Sequence, residues 1–341
     1  MLRLARNDIR ILIVSMRRLT VFIFFILTLF PLCSCAQKEV SEKKIRLAYI
    51  QNDLHHLPAF VALDKGYYRE EGLDVEITGA FRAGPEEMSA FSSHSLDTGY
   101  VGEAPIITAQ ANKVADVRIV AQANKEGSAL VAARNSPIKN IGDLRGKVVA
   151  IPGHATIQDV LLRMALKRSG INPAELTIMV LKPPEMLSAL SSRGIDAFIA
   201  WEPYPSKAVT GGTGKVILDS GSIWKDHPCC ALIVDRVLMK NRDVVKRLIR
   251  AHLKAVRFIR DNEGEARNIG VKYTGMDEMT VREALKRIKF DPLPSRQDKK
   301  EFIEFLRELG YITIENSDNF IDELMDVSLL NEVVRDEKVI Q

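Results

Sequence analysis

The sequence predicts an α/β protein built as two similar lobes around a cleft, and three stretches carry that reading. The first runs from Ile45 to Thr78. There IRLAYI reads as a mostly apolar strand, and AFVALDKG behind Pro58 as a helix with a glycine stop. Val75 and Ile77 then alternate against Asp74, Glu76 and Thr78 as a second strand. A strand–helix–strand unit of this length is the parallel crossover of an α/β sheet. The second stretch is a repeat. PEEMSAFSSHSLDTGYVGEAP (85–105) returns as PPEMLSALSSRGIDAFIAWEP (183–203), with Ser92, Ser93, Asp97 and Glu103 in step with Ser191, Ser192, Asp196 and Glu202. One supersecondary unit used once per lobe leaves that trace. The third is DLRGKVVAIPGHATIQDVLLRMALKRSG, Asp143 to Gly170. It reads as a tight turn, a buried strand at Val148–Ile151, a loop, and a helix. Ile157, Val160, Leu161, Met164 and Ala165 form one apolar stripe along that helix.

The N-terminus reads as an address rather than as part of the fold. Arg17 and Arg18 precede the apolar run LTVFIFFILTLF. A stable membrane-spanning helix needs roughly 20 apolar residues, so this shorter run suits the core of a secretory signal. Leu32-Cys33-Ser34-Cys35 resembles a bacterial lipobox, with Cys35 as the lipidated N-terminus after cleavage. That gives a signal peptide over 1–34 and a tether over 35–44; a start at Met16 gives a signal of ordinary length, and an uncleaved anchor is the alternative. Either way the bulk of the chain is expected outside the cytoplasm, in the periplasm or at the cell surface, held to a membrane. Residues 1–34 contain Arg3, Arg6, Arg10, Arg17, Arg18 and Asp8, which is the whole of the formal net charge of +4. The remainder is near neutral, so nucleic acid is not an expected partner. Roughly 300 residues remain, enough for two lobes of ordinary size. Cys33 leaves with the signal and Cys35 is lipid-bound. The neighbours Cys229 and Cys230 then read as small buried residues, not as a disulfide framework. No His/Cys spacing resembles a zinc site, and neither a metal nor a cofactor is expected.

Open α/β sheets bind ligands at the carboxyl ends of their strands, which selects four loops. Gln51 to His56 follows the first strand, with His55 and His56 either site residues or solvated loop histidines. Gly153, His154, Ala155 and Thr156 precede the amphipathic helix. Thr156 is a plausible N-cap, and the unpaired first-turn N–H groups and helix dipole suit a carboxylate or sulfonate; an ordinary strand-to-helix turn is the alternative. The repeat sets Gly102-Glu103 and Trp201-Glu202 on opposite walls, with Trp201 either a core residue or an apolar floor with one donor. VRIVAQAN and SALVAARN read as consecutive strands. The chain is expected to cross between lobes near Ser128 to Arg134 and to return near Ala231 to Val234. Lobe 1 is then 45–130 plus 232–341, and lobe 2 is 131–231. Beyond the return the chain is helical, beginning with RDVVKRLIRAHLKAVRFIRD, whose basic face reads as solvated surface.

ALDKGYYREEGLDV (62–75), Asp97-Thr98-Gly99, Gly102-Glu103-Ala104-Pro105, DLRGKVVAIPG, Asp196-Ala197 and Trp201-Glu202-Pro203 form an ordered set. The set resembles the extracytoplasmic solute-binding proteins of nitrate/sulfonate/taurine-type ABC importers, from about residue 45 to at least 260. The resemblance implies the two-lobed periplasmic-binding-protein fold (type II), each lobe a mixed sheet flanked by helices, with a hinge of two crossings. It implies a monomer that clamps one small anionic or zwitterionic organic solute (sulfonate, taurine, nitrate, bicarbonate or pyrimidine) and delivers it to an ABC permease and ATPase. Carried over position by position, ligand roles fall on Asn52, His55, His56, Gly102, Glu103, Gly153, His154, Ala155, Thr156, Trp201 and Glu202. Two glutamates near the cleft would repel a small oxyanion unless paired. That tilts the expected solute towards one with a cationic or N–H-donor end, such as taurine or an aminopyrimidine. The competing class is an enzyme on the same fold, resembling menaquinone-pathway dehydratases or a yeast-type thiamine-pyrimidine synthase. No Cys-rich signature of the latter and no nucleophile–base pair at triad-like positions is visible, so an enzyme is not expected.

Overall fold

The computed structural model describes residues 44–340. The signal, the lipobox with Cys35 and nearly all of the tether lie outside the described residues. Eleven strands follow among the described residues: β1 (Ile45–Ile50), β2 (Val75–Phe81), β3 (Thr98–Gly102), β4 (Val117–Glu126), β5 (Ser128–Ala133), β6 (Val148–Ile151), β7 (Thr177–Val180), β8 (Ala197–Trp201), β9 (Gly214–Asp219), β10 (Pro228–Asp235) and β11 (Ile288–Lys289). They form two sheets, ordered β11-β4-β10-β3-β1-β2 and β7-β6-β8-β5-β9. Each is mixed in the same way. β2, β1 and β3 are parallel, and β10 inserts antiparallel between β3 and β4. In the second sheet β7, β6 and β8 are parallel, and β5 inserts antiparallel between β8 and β9. The inserted strand is in each case the one that has just arrived from the other sheet.

The helices that matter for the cleft are α1 (Leu57–Asp64), α2 (Gly84–Phe91), α3 (Glu103–Ala111), α4 (Ile157–Arg168), α5 (Pro183–Ser191), α6 (Tyr204–Thr210) and α7 (Arg242–Asp261). The sequence repeat is α2–β3 and α5–β8, at equivalent places in the two sheets. Its shared aspartates do one job. Asp97 accepts the Arg46 N–H of β1 at 2.9 Å, and Asp196 accepts the Val148 N–H of β6 at 2.9 Å. Each pins the start of a first strand to the start of a third. α4 begins where the apolar stripe does, with Thr156 Oγ1 accepting the Asp159 N–H, and Ile157, Val160, Leu161 and Ala165 are buried. The basic face of α7 is partly committed, since Arg250 and Lys254 both reach Glu71.

Two expectations need correction. The chain passes between sheets earlier than anticipated: Ser128–Ala133 already lies wholly in the second sheet and Pro228–Asp235 wholly in the first. The first passage is at Glu126 and Gly127, with φ of 57° and 89°, and the return falls between Asp219 and Pro228. The boundaries drawn after residues 130 and 231 therefore fall inside strands β5 and β10. β5 and β10 are central and buried, so their sequences run apolar without alternation and hide where pairing begins. Ile77 is the other correction: β2 is an edge strand and Ile77 is 44% exposed. Its alternation marks no buried face.

Candidate solute-binding site

The carboxyl ends of β1, β3 and β8, the start of α4 and the first residues of β10 converge on one pocket between the sheets. Asp53, His55 and Gly102 line it from one side and Thr156, Gln158 and Trp201 from the other, with Cys229 and Cys230 completing it. The cavity left among them is about 20 Å³. Backbone seals it: Leu54 N–H donates to Glu202 O at 3.1 Å and Glu202 N–H to Gly127 O at 2.9 Å. Gln158 Nε2 donates to Ser128 Oγ at 2.9 Å.

The floor is a connected polar cluster. Asp53 caps the short turn Leu54–His56, its Oδ1 accepting the His55 N–H at 2.9 Å. His55 Nε2 lies 2.8 Å from Gly127 O. A carbonyl only accepts, so Nε2 carries a proton and Nδ1 is the atom turned to the cluster. Nδ1 faces Cys229 Sγ at 3.3 Å, Asp53 Oδ1 at 3.4 Å and Cys230 Sγ at 3.8 Å. Gly127 has to be glycine, because a Cβ there would lie 2.2 Å from His55 Nε2. Neighbours on a strand ordinarily point to opposite faces. Register shifts on both sides of Cys230 bend β10 here, and the two sulfurs sit 3.9 Å apart. His56 is the opposite tautomer: its Nδ1 accepts the Ile50 N–H at 3.1 Å, so Nε2 is the donor, and it is buried without a partner. The buried Trp201 Nε1–H likewise has none.

Burial pushes the Asp53 carboxyl up to about 7, against the pull of His55. Burial disfavours the His55 imidazolium, yet Cys229 and Asp53 beside it carry it up to about 10. Burial opposes the Cys229 thiolate too, but Cys230 and His55 hold that thiol well below its ordinary value, while burial and the neighbouring Cys229 push Cys230 up.

Of the residues expected at the site, His55, Gly102, Thr156 and Trp201 line the pocket. His56 is buried in the same loop, and Asn52 sits at the start of that loop with φ 56°. The two glutamates are turned away and paired. Glu103 meets Lys299 at 2.7 Å with both side chains fully buried, and Glu202 takes Arg287 and the Ser206 N–H, each at 3.1 Å. The repulsion that favoured a cation-ended organic solute therefore does not arise. The anion cradle at Gly153 to Thr156 is also corrected. Asp159 already accepts the Ala155 N–H at 2.9 Å, and Arg163 and the Tyr311 hydroxyl bind the same carboxylate. Thr156 Oγ1 donates to Gly153 O at 2.8 Å. The helix N-terminus thus holds the chain's own anion. A Cβ at Gly153 would meet nothing nearer than Thr156 Cγ2 at 3.6 Å, and the His154 side chain is 59% exposed. Asp53, Gln158, Cys229 and Cys230 were missed as site residues. His55 and Cys229 lie 174 positions apart, so no local spacing reveals them, and they form the nucleophile–base type of pair that the sequence did not show. A larger cavity of about 800 Å³ lies among Leu253, Ile259 and Leu285 with Arg260, Arg267 and Arg282, and none of the strand-end loops lines it.

Two like-ordered sheets joined by two passages, with a buried polar pocket at facing strand ends, define the two-lobed solute-binding fold of the periplasmic type. The chain belongs to the NMT1-like family, whose model matches residues 38–272. It is 27% identical to a protein of Brucella abortus (strain 2308) assigned as a binding protein, over 70% of this chain and 73% of that one. Identity is 26% to a Bacillus subtilis (strain 168) protein assigned to aliphatic sulfonate binding, over 77% and 81%. The periplasmic nitrate-binding protein NrtA of Synechocystis PCC 6803 superposes with a TM-score of 0.75 at 19% identity, covering 86% of this chain and 88% of that one. The resemblance read from the sequence holds in family and in fold.

Proposed function

We propose that the chain is the solute-receiving component of an ABC importer. It is exported, held to a membrane through lipidated Cys35, and takes one small solute between lobes formed by residues 45–126 with 228–340 and by 128–219. Permease and ATPase subunits then receive the solute. The observation that carries this reading is that two repeat-related strand ends, Gly102 and Trp201, meet at one buried pocket. Such pairing serves a protein that grips a solute from two sides. The ligands named for the relatives, aliphatic sulfonates and nitrate, make small anions and zwitterions the first classes to screen. The Cys229–His55 pair at 3.3 Å supports a second reading, an enzyme on the same fold. Steady conversion of a solute by the purified chain, without partner subunits, would carry that reading instead.

Thermal unfolding against sulfonates, oxyanions, bicarbonate, pyrimidines and divalent cations tests the proposal. A true solute raises stability by RT ln(1 + [L]/Kd), about 2.7 kcal/mol at a hundredfold excess over Kd. Gly102→Leu should abolish the effect, since even a Cβ there lies 3.1 Å from Ile157 Cγ1 across the cleft. The reading fails if no solute stabilises the chain, or if Gly102→Leu responds as the parent does.

A further inference from the structure

The pocket floor has a chemistry that an organic anion does not call for. Among the described residues no lysine or arginine lines it; it offers one carboxyl, one imidazole and two thiols, all buried. His55, Cys229 and Cys230 present ligand atoms within 4.8 Å of one another, and Asp53, His56 and Cys230 form a second such group. The separations are more telling than the proximity. An ion bonded tetrahedrally at about 2.3 Å to sulfur and about 2.0–2.1 Å to nitrogen and oxygen holds two sulfurs about 3.8 Å apart, sulfur and nitrogen about 3.5 Å apart, and nitrogen and oxygen about 3.4 Å apart. The chain has its sulfurs 3.9 Å apart, His55 Nδ1 3.3 and 3.8 Å from them, and Asp53 Oδ1 3.4 Å from the same nitrogen.

Three further observations agree. His55 donates its other ring N–H to the Gly127 carbonyl, the outer-shell bond that fixes a metal-ligating tautomer and aims the lone pair. The register shifts in β10 exist where two neighbouring thiols must face one way. His56 Nε2–H, buried without a hydrogen-bond partner, lies 3.8 Å from Asp53 Oδ2 and keeps a polar donor beside that carboxyl. A Cys–His nucleophile pair needs neither the second thiol nor the carboxyl at these distances. The cavity of about 20 Å³ also exceeds the roughly 10–15 Å³ needed for one water-sized occupant.

We infer that the occupant of this pocket is a divalent cation of the zinc class, held by His55 Nδ1, Cys229 Sγ and Cys230 Sγ, with the Asp53 carboxyl beside them. This rests on the cleft being the solute pocket and names what fills it. Binding displaces to solvent the proton shared by the Cys229–His55 pair and the proton of the Cys230 thiol, and the two thiolates supply the negative charge. Three protein ligands leave the fourth position on the side of Asp53.

The test is a Co²⁺ titration of the full chain, purified with reductant and chelator and then freed of both. Expected are one-to-one thiolate-to-cobalt charge-transfer and tetrahedral visible bands, displaced by Zn²⁺. Cys229→Ser and Cys230→Ser should each weaken binding by about 100-fold or more, beyond the 10–100-fold that outer-shell partners cost, whereas His154→Ala should leave it unchanged. Where a cysteine variant does not fold, alkylation with peptide mass mapping of the unmutated chain gives the same answer: Zn²⁺ should protect Cys229 and Cys230. Absence of the bands, their persistence in a folded Cys229→Ser, Cys230→Ser double variant, or unprotected thiols with Zn²⁺ overturns the inference. If an organic solute then stabilises the metal-free chain, the importer reading stands without the metal. If nothing does, both fall.

Discussion

Lys299 lies in helix Arg296–Glu308 with its ammonium fully buried, 2.7 Å from Glu103 at the start of α3. Taking either partner away strands the other charge, which typically costs about 3–5 kcal/mol, whereas neutralising both together costs little. Lys299→Met should therefore destabilise the chain by about that much in urea unfolding, and Lys299→Met with Glu103→Gln should recover most of it. Losses that simply add in the double variant would contradict the pairing. His252 gives a pH signature. Its Nε2–H donates to Gln122 O at 2.8 Å and its Nδ1 accepts from the Tyr100 hydroxyl at 2.9 Å, and burial pulls its pKa down to about 4. The unfolded histidine, near 6.5, binds its proton first as pH falls. This contribution is complete above about pH 6.5 and is lost towards about pH 4, at up to about 1.4 kcal/mol per pH unit. His252→Gln should flatten stability between about pH 5 and 6.5 relative to the parent, as read by urea midpoints; an unchanged slope would contradict it.

At the scale of elements, α4 shows what sequence can and cannot carry. Its stripe, its start and its N-cap are all local properties, and all were legible. Thr156→Ala should cost about 1 kcal/mol of stability by removing the cap on the Asp159 N–H; a denaturation midpoint equal to the parent's would refute the cap. The role of the N-terminus was misread, although the signal was present: Thr156 followed by Asp159 is the pattern of an acid that serves the helix start itself. β10 is the opposite case. Cys229-Cys230 is plain in the sequence, but that both sulfurs face His55 depends on register shifts against β4, a property of the pairing. Gly127 is similar, since the need for a residue without a Cβ arises from His55, far off in the chain.

At the scale of the molecule, the repeat made the two-sheet plan visible, because Asp97 and Asp196 perform the same strand-pinning in each half. The positions of the passages were less visible, since both enter central strands without a glycine- or proline-rich linker. Across the cleft rim, Arg82 bonds Glu185, Lys182 bonds Glu86 at 2.6 Å and Lys207 bonds Asp277 at 2.8 Å. These pairs are partly exposed, worth at most about 1 kcal/mol each and screened by salt, so they close the mouth weakly. That suits a cleft which must open for each solute. The central claim is that the solute lies between the sheets and not in the larger cavity at Leu253 and Leu285. Crystals grown with whichever solute stabilises the chain decide this by X-ray diffraction. The account predicts density bounded by His55, Gly102, Trp201 and Cys229–Cys230; density in the larger cavity with the cleft floor bare would contradict it.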